Sequence, residues 1–144
     1  LEEIFAKVIN QLSFQIESSK PTINIDLKKV SVLNSNKAYL ESIILNLITN
    51  SLKFKSENRK LEINITASKN GGAVIITFSD NGIGIDLKRN RNKVFGLYQR
   101  FHNYPDSKGL GLYLVKSQVE TMGGSIDIES TVNKGTTFTL TFRN

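Results

Sequence analysis

The chain has 144 residues, of which 39% are hydrophobic and 22% charged, and its net charge is +6. This length suits one domain with a single core. The absence of cysteine excludes a disulfide framework and any thiolate site, the single histidine argues against a histidine-based metal centre, and no apolar run approaches the ~18 residues of a membrane span.

The first third of the chain predicts a helix, a strand and a second helix. Apolar residues at helical spacing predict a helix over residues 1–19, which Pro21 ends. The alternating apolar residues of TINIDL predict a strand. Ser35 is placed to cap a helix that runs over about residues 36–53. Because the chain opens with LEEIF and no initiator methionine, we expect it to be a piece of a longer protein.

The remainder predicts two hairpins separated by a loop and a helix. Strands over residues 61–68 and 73–80 are joined by the turn sequence KNGG, and SIDIES and TTFTLTF predict a closing pair. Between them, residues 81–108 are loop-like, and a helix over residues 109–122 stops at Gly123-Gly124. We therefore expect one α/β domain, a two-layer sandwich in which three helices cover one face of a mixed, mostly antiparallel sheet.

The helix over residues 36–53 carries amide side chains along one edge. Its buried stripe is predicted to comprise Leu40, Ile43, Ile44, Leu47 and Ile48. At about 100° per residue, Asn46, Asn50 and Lys53 share a narrow arc beside that stripe. Amide oxygens suit Mg²⁺ and an ammonium suits phosphate, so this edge is a candidate binding surface. The alternative is that the amides satisfy nearby backbone groups and Lys53 is solvated.

Two further segments carry candidate binding chemistry. In AVIITFSD the apolar face of a strand ends in Asp80, which is followed by a loop containing Gly82 and Gly84. An inward carboxylate needs a donor, which the amine of adenine would supply, although a plain Asp-Asn-Gly turn explains the same residues. KGLGL at residues 108–112 places glycines and a lysine at a helix start, which favours an anion. Neither a Walker A loop nor G-x-G-x-x-G occurs.

Five segments of the chain are similar, in order, to conserved motifs of sensor histidine kinases. NLITNSLKF resembles the N box, DNGIG the first glycine box, FGLYQRF the F box and GLGL the second glycine box, and the ending GGSIDIESTVNKGTTFTLTF resembles the closing hairpin. The whole chain, residues 1–144, resembles their catalytic ATP-binding domain, which belongs to the Bergerat-fold superfamily with gyrase B and MutL ATPases. The sensor and dimerisation domains of such a kinase would lie outside this chain.

The resemblance implies specific roles. Asn50 would coordinate Mg²⁺, Asn46 would assist at the metal or the phosphates, and Lys53 would contact phosphate, so these three would carry catalysis. Asp80 would accept from the adenine amine, with Gly82 and Gly84 shaping that wall. The remaining residues of the implied nucleotide site are Lys108, Gly109, Leu110, Gly111, Leu112 and Thr136. Thr136 would reach adenine through water, or it is simply a strand residue.

Residues 86–108 would form a lid over the nucleotide. Its phosphate-contact candidates are Lys88, Arg89, Arg91, Lys93 and Lys108. Phe95 and Phe101 would anchor the lid to the core or to a partner domain, unless they only pack. Two residues depart from the family pattern. Phe54 replaces a frequent tyrosine and so loses a hydroxyl contact, whereas Ser51 replaces a frequent alanine and is expected to be harmless.

The resemblance favours a kinase over a hydrolase. ATPases resembling gyrase B carry a water-activating glutamate at the position of Asn46, and an amide is no general base. Glu41 is too far along the helix to replace it. The implied cofactors are ATP and Mg²⁺. The implied partners are ATP and ADP, the dimerisation and phosphoacceptor helices of the same kinase and, indirectly, a response regulator.

The resemblance also implies that the parent kinase is a homodimer and that its catalytic domain is cytoplasmic. It leaves open whether the parent is anchored in a membrane and whether the fragment alone is a monomer. His102 is not expected to be the phosphoacceptor, since Asn103 and Pro105 follow it instead of an acidic residue on a helix. The alternatives are a Bergerat-fold ATPase and a degenerate nucleotide-binding or docking module. A nucleic-acid-binding domain is not expected, because no such motif accompanies the positive charge.

Overall fold

The computed structural model describes residues 1–27, 30, 36–96 and 111–143. The helices are α1 (Glu2–Gln11), α2 (Ser13–Ser19), α3 (Lys37–Lys53), α4 (Leu87–Asn90) and α5 (Gly111–Thr121). The strands are β1 (Thr22–Asp26), β2 (Glu62–Asn70), β3 (Ala73–Asp80), β4 (Ser125–Thr131) and β5 (Gly135–Arg143). None of the helices in these ranges has the length and hydropathy that spanning a membrane requires.

The five strands form one mixed sheet in the order β1-β2-β3-β5-β4. β1 runs parallel to β2, and the other three pairs are antiparallel. Alternate residues of the central strands are buried on one face, as period-two patterning requires. The buried residues on this face are Ile63, Ile65 and Ala67 of β2, Val74, Ile76 and Phe78 of β3, and Thr136, Phe138, Leu140 and Phe142 of β5.

Three helices supply the other half of the core. α3 contacts both α1 and α5, and each of the three contributes buried apolar side chains. The predicted stripe on α3 is confirmed, because all five of its residues are at most 1% exposed. The ring of Phe5 on α1 stacks on Phe78 of β3 with centroids 6.0 Å apart. The α/β two-layer fold predicted from sequence is therefore confirmed.

Three local predictions are wrong. The expected single N-terminal helix is broken at the buried Leu12, whose φ of −96° and ψ of 12° lie outside the helical region. The cap of α3 is Asn36, whose side chain accepts from the Tyr39 N–H at 3.1 Å, whereas Ser35 lies outside the described residues. The expected loop contains α4, because the Asp86 side chain caps the N–H groups of Lys88 and Arg89.

Candidate functional site

Asp80 ends the buried face of β3 and is held by three donors. Its Oδ2 accepts from the Ser51 hydroxyl at 2.7 Å, and its Oδ1 accepts from the Gly82 N–H at 2.9 Å. The backbone of Thr136 is the third donor. Burial raises the pKa of Asp80, while the bonds from Gly82, Ser51 and Thr136 oppose that rise. The Asp80 carboxylate is therefore partly buried, and its three hydrogen bonds fix its orientation.

The loop after Asp80 lies against two other segments. A Cβ on Gly82 would lie 2.6 Å from the Phe54 carbonyl oxygen, so only glycine fits there. That carbonyl also accepts from the Ile83 N–H at 3.0 Å. Gly84 has a φ of +75° and is packed against the backbone of Thr131, where any side chain would overlap. The two glycines thus let the loop pack directly on the end of α3 and on β4.

The predicted polar edge of α3 is formed, and Asn46, Asn50 and Lys53 are all half-buried on it. Asn46 donates through Nδ2 to the Ser42 carbonyl at 2.9 Å, which leaves Oδ1 as the outward end of its amide. That Oδ1 would lie 3.4 Å from a Cβ on Gly111, the first residue of α5. The edge therefore connects the start of α5 with the Asp80 region.

The structure places only part of the predicted second glycine box. Gly111 begins α5 beside Asn46, but Lys108, Gly109 and Leu110 lie outside the described residues. The side chain of Leu112 is 6% exposed and packs in the hydrophobic core, so only its backbone is available to a ligand. The buried Thr136 has its Oγ1 2.8 Å from the Ser130 Oγ. Its side chain therefore already has a protein partner, whatever else it binds.

The structure describes residues 86–96 of the predicted lid, and Phe101, His102 and Lys108 lie outside the described residues. Phe95 packs edge-to-face on Phe138 with centroids 6.3 Å apart, and the Lys116 ammonium lies over the Phe95 ring, 5.5 Å from its centroid. This end of the lid is thus anchored to the core. The basic side chains of the described part, Lys88, Arg89, Arg91 and Lys93, are exposed.

The sequence model of the family described as histidine kinase-, DNA gyrase B- and HSP90-like ATPase matches residues 35–144. The chain belongs to this ATPase family. Heme sensor protein HssS of Staphylococcus saprophyticus is 31% identical over 99% of this chain and 30% of its own length. Sensor protein RprX of Bacteroides fragilis is 34% identical over 94% of this chain and 27% of its own. The chain therefore spans less than a third of the length of these two sensor proteins.

Solved structures of this ATPase family share the fold. The catalytic domain of histidine kinase ThkA has a TM-score of 0.83 and 21% identity, covering 99% of this chain and 91% of that one. Full-length ShkA in complex with AMPPNP has a TM-score of 0.80 and 22% identity, covering 98% of this chain and 29% of that one. At such low identity these structures show the fold, and the resemblance predicted from sequence is confirmed by the family match.

Two further residues contact this candidate site, and neither contact was predicted from the sequence. Ser51 was expected to be a passive replacement, yet it binds Asp80 directly. A buried serine hydroxyl needs a hydrogen-bond partner, so the position of Ser51 on the buried stripe of α3 already indicated a polar contact. Arg59 donates to three backbone carbonyls around the glycine loop, and no local pattern in the sequence indicates this.

Replacing Ser51 with alanine tests the first of these contacts. Loss of one donor should raise the pKa of Asp80 further, and a protonated carboxyl is a poorer acceptor for an amine. We expect ATP affinity to fall about two- to tenfold, as for the loss of ~0.5–1.5 kcal/mol, with the decline on acidification starting at higher pH than in the parent. Titrations between pH 5 and 8 measure this; identical affinities and pH profiles would show that Ser51 is passive.

Proposed function

We propose that this chain binds Mg-ATP between α3 and the segment 86–108, and transfers the γ-phosphoryl group to a histidine on a separate dimerisation domain. Residues 1–144 form one catalytic domain in this proposal. Its direct partners are ATP, ADP and the phosphoacceptor helices of the same homodimeric kinase, and a response regulator receives the phosphoryl group later.

The observation that carries the proposal is the pairing of α3 with two different ligand-binding features. Through Ser51, α3 reaches Asp80, a fixed acceptor for the adenine amine, next to a loop whose glycines let it pack closely on α3 and β4. Through Asn46 it reaches the start of α5, where the first backbone N–H groups of a helix favour phosphate. Asn50 and Lys53 lie on the same edge of the helix as Asn46.

The donor set fits a metal that arrives with the nucleotide. Within the described ranges, no group of three or more His, Cys, Asp or Glu side chains could hold a metal ion. Mg²⁺ commonly takes one or two protein ligands and fills its other positions with phosphate oxygens and water. Asn50 would supply the amide oxygen and Asn46 would assist at the metal or the phosphates. Bound there, Mg²⁺ would neutralise charge on the transferring phosphoryl group.

Phosphoryl transfer to imidazole suits these residues better than hydrolysis. The Asn46 amide cannot accept a proton from water near neutral pH, and its nitrogen is already bonded to Ser42. The nearby carboxylate of α3, Glu41, pairs with Lys7 of α1 at 3.0 Å. An imidazole is itself a nucleophile, so positioning and charge neutralisation supply most of the required catalysis.

A transfer assay tests this function. We expect the chain to bind ATP without labelling itself, and to phosphorylate its dimerisation helices when they are supplied as a separate chain. The label from [γ-³²P]ATP should appear on those helices alone and should be acid-labile. His102→Gln should transfer as the parent does. Efficient self-labelling that disappears in this variant would show that His102 is the acceptor.

A further inference from the structure

Arg59 joins three segments that are distant in sequence. It lies in the loop between α3 and β2, and its Nε donates to the Asn81 carbonyl at 2.7 Å. Its Nη2 donates to the Gly82 carbonyl at 2.8 Å and to the Asn133 carbonyl at 2.7 Å. A guanidinium presents several donors in one rigid plane, so a single side chain satisfies all three oxygens.

One of these bonds acts on the peptide group that holds Asp80. The Asn81 carbonyl, which accepts from Arg59, belongs to the same peptide group as the Gly82 N–H, which donates to Asp80 Oδ1. A cation on the carbonyl oxygen polarises the peptide and strengthens the bond made by its N–H. Arg59 therefore acts on Asp80 through one planar group that is held at both ends.

The other two bonds hold the glycine loop against the turn between β4 and β5. The Gly82 and Asn133 carbonyls point at the same Nη2 and would face each other without a donor between them. The Asn133 N–H donates in turn to the Ile83 carbonyl at 2.7 Å. Because Gly84 already packs on the backbone of Thr131, any loosening of this turn would shift the whole loop.

We propose that Arg59 is a positioning residue for the adenine subsite, holding the Asn81–Gly82 peptide so that Asp80 presents its carboxylate to the ring. This inference rests on the proposed function. Arg59 supports recognition of the base and not of the phosphates. Its loss should therefore lower the affinities for adenosine, ADP and Mg-ATP by the same factor. The additional affinity contributed by Mg²⁺ should not change.

The test compares Arg59→Gln with Lys55→Gln, which removes the same charge from an exposed side chain in the same loop. We expect Arg59→Gln to lower the affinity for all three ligands about tenfold, since the hydrogen bond from the adenine amine depends on the placement of the Asp80 carboxylate. Lys55→Gln should leave adenosine binding unchanged. The Gly82 amide proton resonance should move upfield in Arg59→Gln alone, as its hydrogen bond weakens. Thermal unfolding of each variant measures any loss of stability separately.

Several outcomes would overturn the inference. Unchanged adenosine affinity in a folded Arg59→Gln chain, with or without a lower Tm, would make Arg59 a structural contact only. If Arg59→Gln does not fold, Arg59→Lys replaces it in the test, because an ammonium keeps the charge but not the planar donors. Weaker adenosine binding and a shifted Gly82 resonance in Arg59→Lys would support the inference, whereas parental values for both would overturn it. Failure of the parent to bind adenine nucleotides would instead overturn the proposed function and this inference with it.

Discussion

Replacing Asp80 with asparagine is expected to weaken ATP binding about ten- to a hundredfold, the range for losing ~1.5–3 kcal/mol from a charge-assisted hydrogen bond. The Gly82 N–H would retain the amide oxygen of the new side chain as its acceptor. The amide nitrogen would then take the place of Oδ2, and the Ser51 hydroxyl can rotate to accept from it. The adenine amine would meet a donor where it needs an acceptor.

Asp127→Asn provides the matched control, because it makes the same chemical change at an exposed position on β4. Calorimetric titration of adenosine and ATP measures the effect, and thermal unfolding shows whether each variant is folded. Because the lost contact is to the base, the affinities of Asp80→Asn for adenosine and for ATP should fall by a similar factor. A variant that binds ATP as tightly as the parent would remove Asp80 from the adenine site.

Asn50→Ala should produce a different pattern. We expect it to abolish the Mg²⁺-dependent part of ATP affinity and to leave adenosine binding largely intact, because Asn50 shares the polar edge of α3 with Asn46, which lies beside the start of α5. Removing a ligand to a cation should cost about ten- to a hundredfold when Mg²⁺ is present. Asn10→Ala, at an exposed position on α1, is the control for the same side-chain truncation in a helix.

Titrations of ATP with excess Mg²⁺ and with a chelator separate the two contributions. The Asn50 variant should show the same weak affinity in both conditions, whereas Asp80→Asn should keep the Mg²⁺ enhancement at a lower starting affinity. An Mg²⁺ enhancement in Asn50→Ala equal to that of the parent would exclude this residue from the metal site. The pair of variants thus distinguishes recognition of the base from recognition of the metal.

Much of the fold was predictable because its determinants are periodic and local. The bounds of β3 agree with the predicted strand over residues 73–80, since alternation and flanking glycines mark both ends. The same reasoning identified Asp80 as a continuation of the buried series, and the structure holds its carboxylate there. The apolar stripe of α3 and the polar edge beside it also followed from helical spacing.

Other features depended on contacts between distant segments. The break at Leu12 lies within an uninterrupted helical pattern, and no proline or glycine marks it. The three bonds of Arg59 depend on how two loops and a turn meet after the sheet has formed. Ser51 had a usable signal in its position on the buried stripe, but its partner Asp80 lies on another element. The roles of Asn46, Asn50 and Lys53 toward a ligand remain predictions.

Titration of the unmodified chain with ATP, in excess Mg²⁺ and again with a chelator, is the most direct measurement. We predict saturable 1:1 binding of ATP and ADP, with ATP bound more tightly when Mg²⁺ is present, and weaker binding of adenosine alone. Guanosine nucleotides should bind poorly, because guanine presents a carbonyl where Asp80 requires an amine. No binding of ATP under either condition, or equal binding of GTP, would contradict an ATP-binding site built on Asp80 and α3.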